Sequence, residues 1–204
     1  MKSITATITI ACLLSLTPVK ADSEGNYPGK GSYSDWQQAA DASEDGVIYA
    51  KKGNYTMAVR CYDEAIQQYP FDASFYYNKG VAFNKTNRAR EAVALFKKAI
   101  DLEPNFASAW YDLANSQKQI EDLPTAEASY KQALKLAPKH MKAWFNLGET
   151  CFSQKKYADA KDAFTHAQEL AATEQDKKDI AEYQQETSRI LQKASTPAQT
   201  VPAK

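Results

Sequence analysis

The residues of this 204-residue sequence that could carry catalysis or hold a metal are few and scattered. It has two histidines, His140 and His166, and three cysteines, Cys12, Cys61 and Cys151. None of them has the spacing of a zinc site, and the sequence has neither a phosphate-binding loop nor a dinucleotide-binding glycine pattern. Because catalysis needs such groups in clusters, we predict a protein that is not an enzyme and that uses no metal and no cofactor.

Each of these side chains has an ordinary structural explanation. We expect both histidines at the surface and Cys151 in the core, where a thiol is inert. Cys61 is expected either to stay free or to pair with a second copy of the chain. The acidic pair Asp101 and Glu103 would be solvated charges at a helix end.

A period of 34 residues organises most of the chain and predicts the elements that position its side chains. Alanine recurs at this spacing, at Ala58, Ala92, Ala126 and Ala160. An aromatic residue stands four positions after each alanine, in turn Tyr62, Phe96, Tyr130 and Phe164. The same spacing separates Pro70, Pro104 and Pro138. A period kept over four copies without an insertion is typical of tandem repeat proteins.

The residues Trp144, Leu147 and Gly148 follow the W-x2-L-G opening of a known repeat signature, so the sequence resembles the tetratricopeptide repeat family. This resemblance implies an all-α fold, an α-solenoid of four tandem helix-turn-helix repeats, and a function in binding other proteins. The repeats would span residues 39–72, 73–106, 107–140 and 141–174. A proline would end the second helix of each of the first three repeats. The small residue at the place of Gly148 would let paired helices approach closely.

The N-terminal segment has the pattern of a targeting signal. Residues 1–21 combine Lys2 with an apolar run from Ile4 to Val19, which is typical of a signal peptide cleaved after Ala21. An uncleaved anchor and a lipid attached at Cys12 are the alternatives. The prediction implies export, either to a bacterial periplasm or to the exterior.

Residues 22–38 would form a linker and the start of the first helix. Ser34-Asp35-Trp36-Gln37 fits a capping box at that start, and Trp36 would cover the open end of the stack.

The end of the chain predicts a capping helix at residues 175–194, followed by a disordered tail at residues 195–204. Its apolar face would hold Ile180, Tyr183, Ile190 and Leu191. The alternative for this helix is a seam between two copies of the chain, which would make the protein a self-associating homo-oligomeric scaffold.

Composition limits the classes of partner. The sequence has 25 Lys and Arg residues against 25 Asp and Glu, so it lacks the positive field that general nucleic-acid binding needs. It has no run of about 20 apolar residues after the leader. We therefore predict neither nucleic-acid binding nor membrane insertion of the mature chain.

One side of the first helices carries aromatic and amide residues where a surface helix should be plainly polar. At about 100° per residue, the second, fifth, sixth and ninth places of each repeat lie opposite the core places. Stacking would align them along a concave surface, where rings would hold apolar side chains and amides would bind a peptide backbone. The predicted peptide-binding groove consists of Tyr77, Asn78, Val81, Tyr111, Asp112, Asn115, Lys142, Phe145, Asn146 and Glu149. The alternative is a structural ladder, in which these residues only tie neighbouring helices together.

The resemblance also allows a test for one known specificity. Family members that grip a C-terminal carboxylate use amides together with Lys and Arg on three successive first helices. Asn115 and Asn146 fit the amide places, but Tyr111, Asp176 and Ile180 stand at the cationic ones. We therefore predict an exported adaptor or assembly factor that binds a protein segment of unknown identity without a carboxylate clamp.

Overall fold

The computed structural model describes residues 32–195. The predicted signal peptide, nearly all of the predicted linker before the first helix, and residues 196–204 of the predicted tail lie outside the described residues. Within the described range all regular structure is helical, and the order of helices is α1 (Tyr33–Lys51), α2 (Tyr55–Gln68), α3 (Ala73–Lys85), α4 (Ala89–Leu102), α5 (Ala107–Gln119), α6 (Leu123–Leu136), α7 (Met141–Ser153), α8 (Tyr157–Leu170) and α9 (Glu174–Ser195). Each helix packs on the next one in sequence. The predicted all-α solenoid with a terminal capping helix is confirmed.

The turn inside each repeat has one residue in the left-handed backbone region. These residues are Gly53 (φ 76°), Asn87 (φ 60°), Glu121 (φ 63°) and Lys155 (φ 62°). In the fourth repeat the N–H of Lys155 donates to the carbonyl of Phe152, and the N–H of Lys156 donates to that of Cys151, both at 2.9 Å. This Schellman pattern satisfies the last carbonyls of the first helix. It recurs in all four repeats, so the chain turns in the same way each time.

The start of α1 differs from the sequence prediction. The capping box is formed by Ser32 and Asp35, not by Ser34 and Gln37. The N–H of Asp35 donates to Ser32 Oγ at 3.2 Å, and the N–H of Ser32 donates to Asp35 Oδ2 at 2.9 Å. Both serines fit the pattern in sequence, and the earlier one is used because the helix already begins at Tyr33.

Trp36 does not cover the free end of the stack. Its ring packs against the buried residues Ala65, Tyr69 and Phe75, and its Nε1 donates to Asp72 Oδ2 at 3.3 Å. The indole therefore fills the junction between the first and second repeats.

Paired helices within a repeat touch through a small residue. A Cβ atom on Gly148 of α7 would lie only 2.5 Å from the Phe164 ring of α8, and Gly46 has the same relation to Tyr62. At these two positions a side chain larger than glycine would displace the ring or push the two helices apart. The third repeat has Ala114 opposite Tyr130 and keeps both residues fully buried. The predicted close approach of the helices is confirmed.

A second periodic contact joins successive repeats. The Trp110 and Trp144 indoles donate to the carbonyls of Pro104 and Pro138, at 2.9 and 2.8 Å respectively. Tyr76 does the same through its hydroxyl to Pro70, at 3.1 Å. These prolines follow the last residues of α2, α4 and α6 as predicted, and their carbonyls are satisfied by the next repeat.

The stack is curved, with the first helices on the inside. Cα atoms of successive helices come within 8 Å of each other in the set α1, α3, α5, α7 and α9. Among the described helices this does not occur in the set α2, α4, α6 and α8. Elements that lie closer together on one side give the array a concave face there. The concave face is therefore built from α3, α5 and α7 at its centre.

α9 continues the set of first helices, but in a shifted register. Only three residues separate α8 from α9, whereas four separate each earlier second helix from the following first helix. Ile180 is buried in the cluster that also holds Leu147. It therefore takes a core position of the capping helix and not the groove place that the 34-residue period assigned to it.

Candidate functional site

The centre of the concave face contains a connected set of polar side chains, which we call the inner polar network. Its members come from four helices and consist of Tyr77 of α3, Tyr111, Asp112 and Asn115 of α5, Tyr130 of α6 and Asn146 of α7. Five of the six were predicted as groove residues. Tyr130 joins them because its ring lies in the core and its hydroxyl reaches the inner face.

Three hydrogen bonds of the network join one repeat to the next, and the bond from Asn115 to Asp112 lies within α5. Tyr77 donates to Asp112 Oδ2 at 2.9 Å, and Asn115 donates to Asp112 Oδ1 at 3.2 Å. Asn146 donates to the Tyr111 hydroxyl at 3.2 Å and to Asn115 Oδ1 at 3.0 Å. Side chains that are held in this way lose little further freedom when a ligand binds.

Burial changes the protonation behaviour of the network. It raises the pKa of Tyr111, and the nearby Asp112 carboxylate adds to that effect. It also raises the pKa of Asp112, although the hydrogen bonds from Tyr77 and Asn115 act in the opposite direction. Tyr130 donates to Asn115 Oδ1 at 2.6 Å and its pKa is raised strongly, mainly by burial. The tyrosines therefore act as neutral hydroxyl groups.

The three aromatic residues predicted as plates for a ligand already have intramolecular partners. The Tyr77 ring lies 4.8 Å from Phe106, and the Phe145 ring lies 5.5 Å from Tyr183. All three rings are half-buried, because the fifth place of each first helix covers the seam with the next repeat. They contribute to the structural ladder, and only part of each ring remains exposed in the groove.

The other predicted groove residues are in different surroundings. Glu149 accepts from Lys118 at 2.6 Å and from the Tyr183 hydroxyl at 2.9 Å, so it joins α5, α7 and α9. Val81 is partly buried against the core of the second and third repeats. Asn78 is half-buried and Lys142 is exposed.

Sequence reasoning missed His140 as part of this region. The residue was expected at the surface, but it is half-buried as the N-cap of α7. Its Nδ1 accepts from the N–H of Ala143 at 3.1 Å, and its ring lies 4.6 Å from that of Tyr111. Histidine is not a preferred N-cap residue, so its position just before a predicted helix was the only signal. His166 is exposed, as expected.

The two described cysteines are held as thiols by burial. Cys151 is buried, and burial raises its pKa to about 11. Cys61 is half-buried and its pKa is raised mainly by burial. Both keep the unreactive thiol form at neutral pH. Within the described residues no group of three or more His, Cys, Asp or Glu side chains could hold a metal ion, and no described helix is long and apolar enough to cross a membrane.

The sequence matches a known protein family over most of its length. Residues 46–109 and 111–175 match the tetratricopeptide repeat family, and together they make up more than half of the chain. The chain belongs to the tetratricopeptide repeat family. No curated protein matches the sequence.

Solved tetratricopeptide repeat structures share the fold. MamA, residues 41 to the end, from Desulfovibrio magneticus RS-1 superposes with a TM-score of 0.65 at 19% identity, covering 78% of this chain and 98% of that chain. The first tetratricopeptide repeat domain of Spaghetti (RPAP3), bound to the HSP90 peptide SRMEEVD, gives a TM-score of 0.58 at 22% identity, covering 59% of this chain and 95% of that chain. YrrB, described as having an unusual peptide-binding site, gives 0.64 at 17% identity, with 71% and 74% covered. At these identities the likeness shows the fold alone.

Proposed function

We propose that this tetratricopeptide repeat protein is a non-enzymatic interaction module that binds an extended peptide segment of another protein along the concave face of α3, α5 and α7. The observation that carries the proposal is the inner polar network. It fixes Asp112, Asn115 and Asn146 in place on the inside of the curve before any ligand arrives. Amides in such positions can donate to and accept from a peptide backbone.

Two solved structures of the same fold support the choice of ligand class. One is of a domain bound to an HSP90 peptide, and another is of YrrB, a protein described as having a peptide-binding site. Proteins of this fold have unrelated partners, so the chemistry of this chain's own groove must define its ligand.

We also propose that the protein acts after export, as an adaptor or assembly factor. The support is the sequence of residues 1–21, with its basic start and apolar run. The intact mass of the protein purified from its native host tests this proposal. A mature chain that begins at Asp22 supports it, and a chain that keeps residues 1–21 contradicts the cleavage.

Photo-crosslinking in cells tests the groove. A benzoylphenylalanine probe replaces Lys142, an exposed groove residue on α7, and a matched probe replaces Lys161, an exposed residue on α8. We expect a discrete adduct with another protein from the Lys142 position only. Equal adducts from both positions, or none from Lys142, would contradict binding on the concave face.

Self-association through α9 has less support from the packing. Ile180 is buried within the monomer, and both Ile190 and Leu191 are half-buried. If the Lys142 and Lys161 probes both yield adducts of the protein with itself alone, the scaffold hypothesis replaces the proposed function.

A further inference from the structure

Asp112 is a carboxylate that forms no ion pair with any described side chain. Its two oxygens accept from Tyr77 and Asn115, which are both neutral donors. None of the ion pairs within residues 32–195 includes it. His140 and Lys85 act on it only through longer-range electrostatics. Asp112 is therefore a carboxylate without a counter-ion at the centre of the concave face.

This position is unfavourable for a charge in the free protein. The residue is half-buried, so water solvates the carboxylate incompletely. Burial raises the pKa of Asp112, and the two hydrogen bonds offset the loss of solvation only in part. A cation that entered the groove would restore the missing stabilisation.

The carboxylate also keeps acceptor sites that no described donor fills. An ionised carboxylate has about four acceptor sites, and Tyr77 and Asn115 fill two of them. The two that remain match the donors of one ammonium or one guanidinium group. The surrounding hydrogen bonds fix the direction in which the carboxylate oxygens point.

The other acidic residue of the central groove does not offer the same site. Glu149 is already paired with Lys118, with 2.6 Å between the charged atoms, and it also accepts from Tyr183. Lys118 is neutralised by the same pair, so it is not available for an acidic ligand. Asp112 is thus the charged member of the inner polar network, and it forms no ion pair within residues 32–195.

We propose that the groove selects peptide segments that carry a lysine or arginine side chain, and that the cation of this side chain binds the Asp112 carboxylate. The inference rests on the proposed function and names the chemistry of its ligand. It distinguishes this chain from a groove that binds a C-terminal carboxylate, for which positive side chains are needed at the places where this sequence has Tyr111, Asp176 and Ile180.

Selection from a random dodecapeptide display library with the purified full chain tests this specificity. We expect the selected peptides to share one position that is occupied by Lys or Arg. In a selected arginine peptide, replacement of that arginine by citrulline keeps the shape and removes the charge. We expect this replacement to weaken binding about tenfold, which is typical of losing one partly buried ion pair.

Two variants connect the effect to Asp112. With Asp112→Asn, the arginine and citrulline peptides should bind within about twofold of each other, because the carboxylate is gone. Asp101→Asn, at an exposed position on α4, should keep the tenfold difference. Fluorescence anisotropy measures the affinities, and circular dichroism checks that each variant is folded. The citrulline comparison on the unaltered chain does not depend on the stability of any variant.

The outcomes separate this inference from the proposed function. Selected peptides without a common basic position, a library that yields no binder, or full citrulline discrimination in Asp112→Asn would each overturn the inference. The Lys142 crosslink tests peptide binding itself. An adduct from Lys142 together with any of these results would leave the groove as the binding site and remove only its basic specificity.

Discussion

Lys155 and Glu121 adopt the same left-handed backbone conformation as Gly53 in the first repeat. Glycine takes this conformation without a steric penalty and asparagine, which stands at Asn87 in the second repeat, tolerates it. In other residues the Cβ atom crowds the backbone. The fold imposes the conformation since the Schellman turn requires it. Two of the four repeats therefore contain local strain that the array tolerates.

We expect Lys155→Gly to raise the free energy of unfolding by about 0.5 to 1 kcal/mol, because it removes that strain. The measurement is urea unfolding followed by circular dichroism. Lys97→Gly is the control, since Lys97 is exposed in the middle of α4. It should lower the free energy of unfolding by about 1 kcal/mol. A loss of stability in both variants would rule out the strained turn.

For single residues, the sequence predicted which side chains lie in the groove better than it predicted what each of them contacts. Asn115 and Asn146 were predicted as groove residues from their places in the repeat, and the structure joins them by a hydrogen bond. The intramolecular contacts of Tyr77 and Phe145 were foreseen only as the ladder alternative. A helical projection gives the side of a helix, but it does not give the distance to the next helix.

Between elements, Glu127 is a carboxylate that two lysines and one amide hold in place. It lies in α6, and its side chain is only 9% exposed. Its carboxylate accepts from Lys131 at 2.6 Å, and from Gln154 and Lys156, at 2.9 and 2.6 Å, in the turn between α7 and α8. Burial alone would raise the pKa of Glu127, but these donors outweigh it and hold the pKa at about 2.

The stability of the protein should therefore depend on this carboxylate in acid. The folded pKa lies below the ordinary value of 4.5, so the unfolded chain takes up a proton first as the pH falls. The stabilisation is present above pH 4.5 and is lost progressively towards pH 2. We expect Glu127→Gln to be less stable at pH 7 and to lose less free energy of unfolding than the wild type between these pH values. Urea unfolding at a series of pH values measures both.

Glu44→Gln is the control for this pH experiment, because Glu44 is exposed on α1. An acid profile of Glu127→Gln that matches the wild type would contradict the assignment.

Sequence analysis did not identify the contact of Glu127 with the turn between α7 and α8. Its equivalents one and two repeats away are Val93, Val59 and Lys161, so no 34-residue period marks it. Periodic features such as the Pro104 and Trp110 pair were visible, and unique contacts were not.

For the whole molecule, α9 closes the open end of the array. Ile180 is buried, and the Tyr183 ring packs on Phe164 at 5.2 Å and on Phe145 at 5.5 Å. A repeat array needs such a terminal helix because the last repeat cannot bury its apolar face alone. The sequence predicted this helix and placed Ile180 on its apolar face. The 34-residue period alone puts Ile180 in the groove, because the connection after α8 is one residue shorter than the earlier ones.

We expect Ile180→Asp to lower the free energy of unfolding by about 3 kcal/mol or more, because it places an unpaired charge in the core. Ala181→Asp changes the neighbouring, exposed position of the same helix, and should have an effect below about 0.5 kcal/mol. Thermal unfolding followed by circular dichroism compares the two. Similar losses in both variants would mean that α9 does not pack on the fourth repeat.

The unequal spacing of the first and second helices also makes the array easier to bend on its outer side than on its inner side. Hydrogen bonds join the first helices to one another, whereas among the described helices no Cα atoms of successive second helices come within 8 Å of each other. When such an array flexes, its hydrogen-bonded inner edge keeps a nearly constant length. The distance between successive second helices on the outer edge increases or decreases instead. For the proposed peptide binding, this means that the groove would change its curvature to fit the shape of the segment, while the distance between its binding positions along the segment would stay fixed.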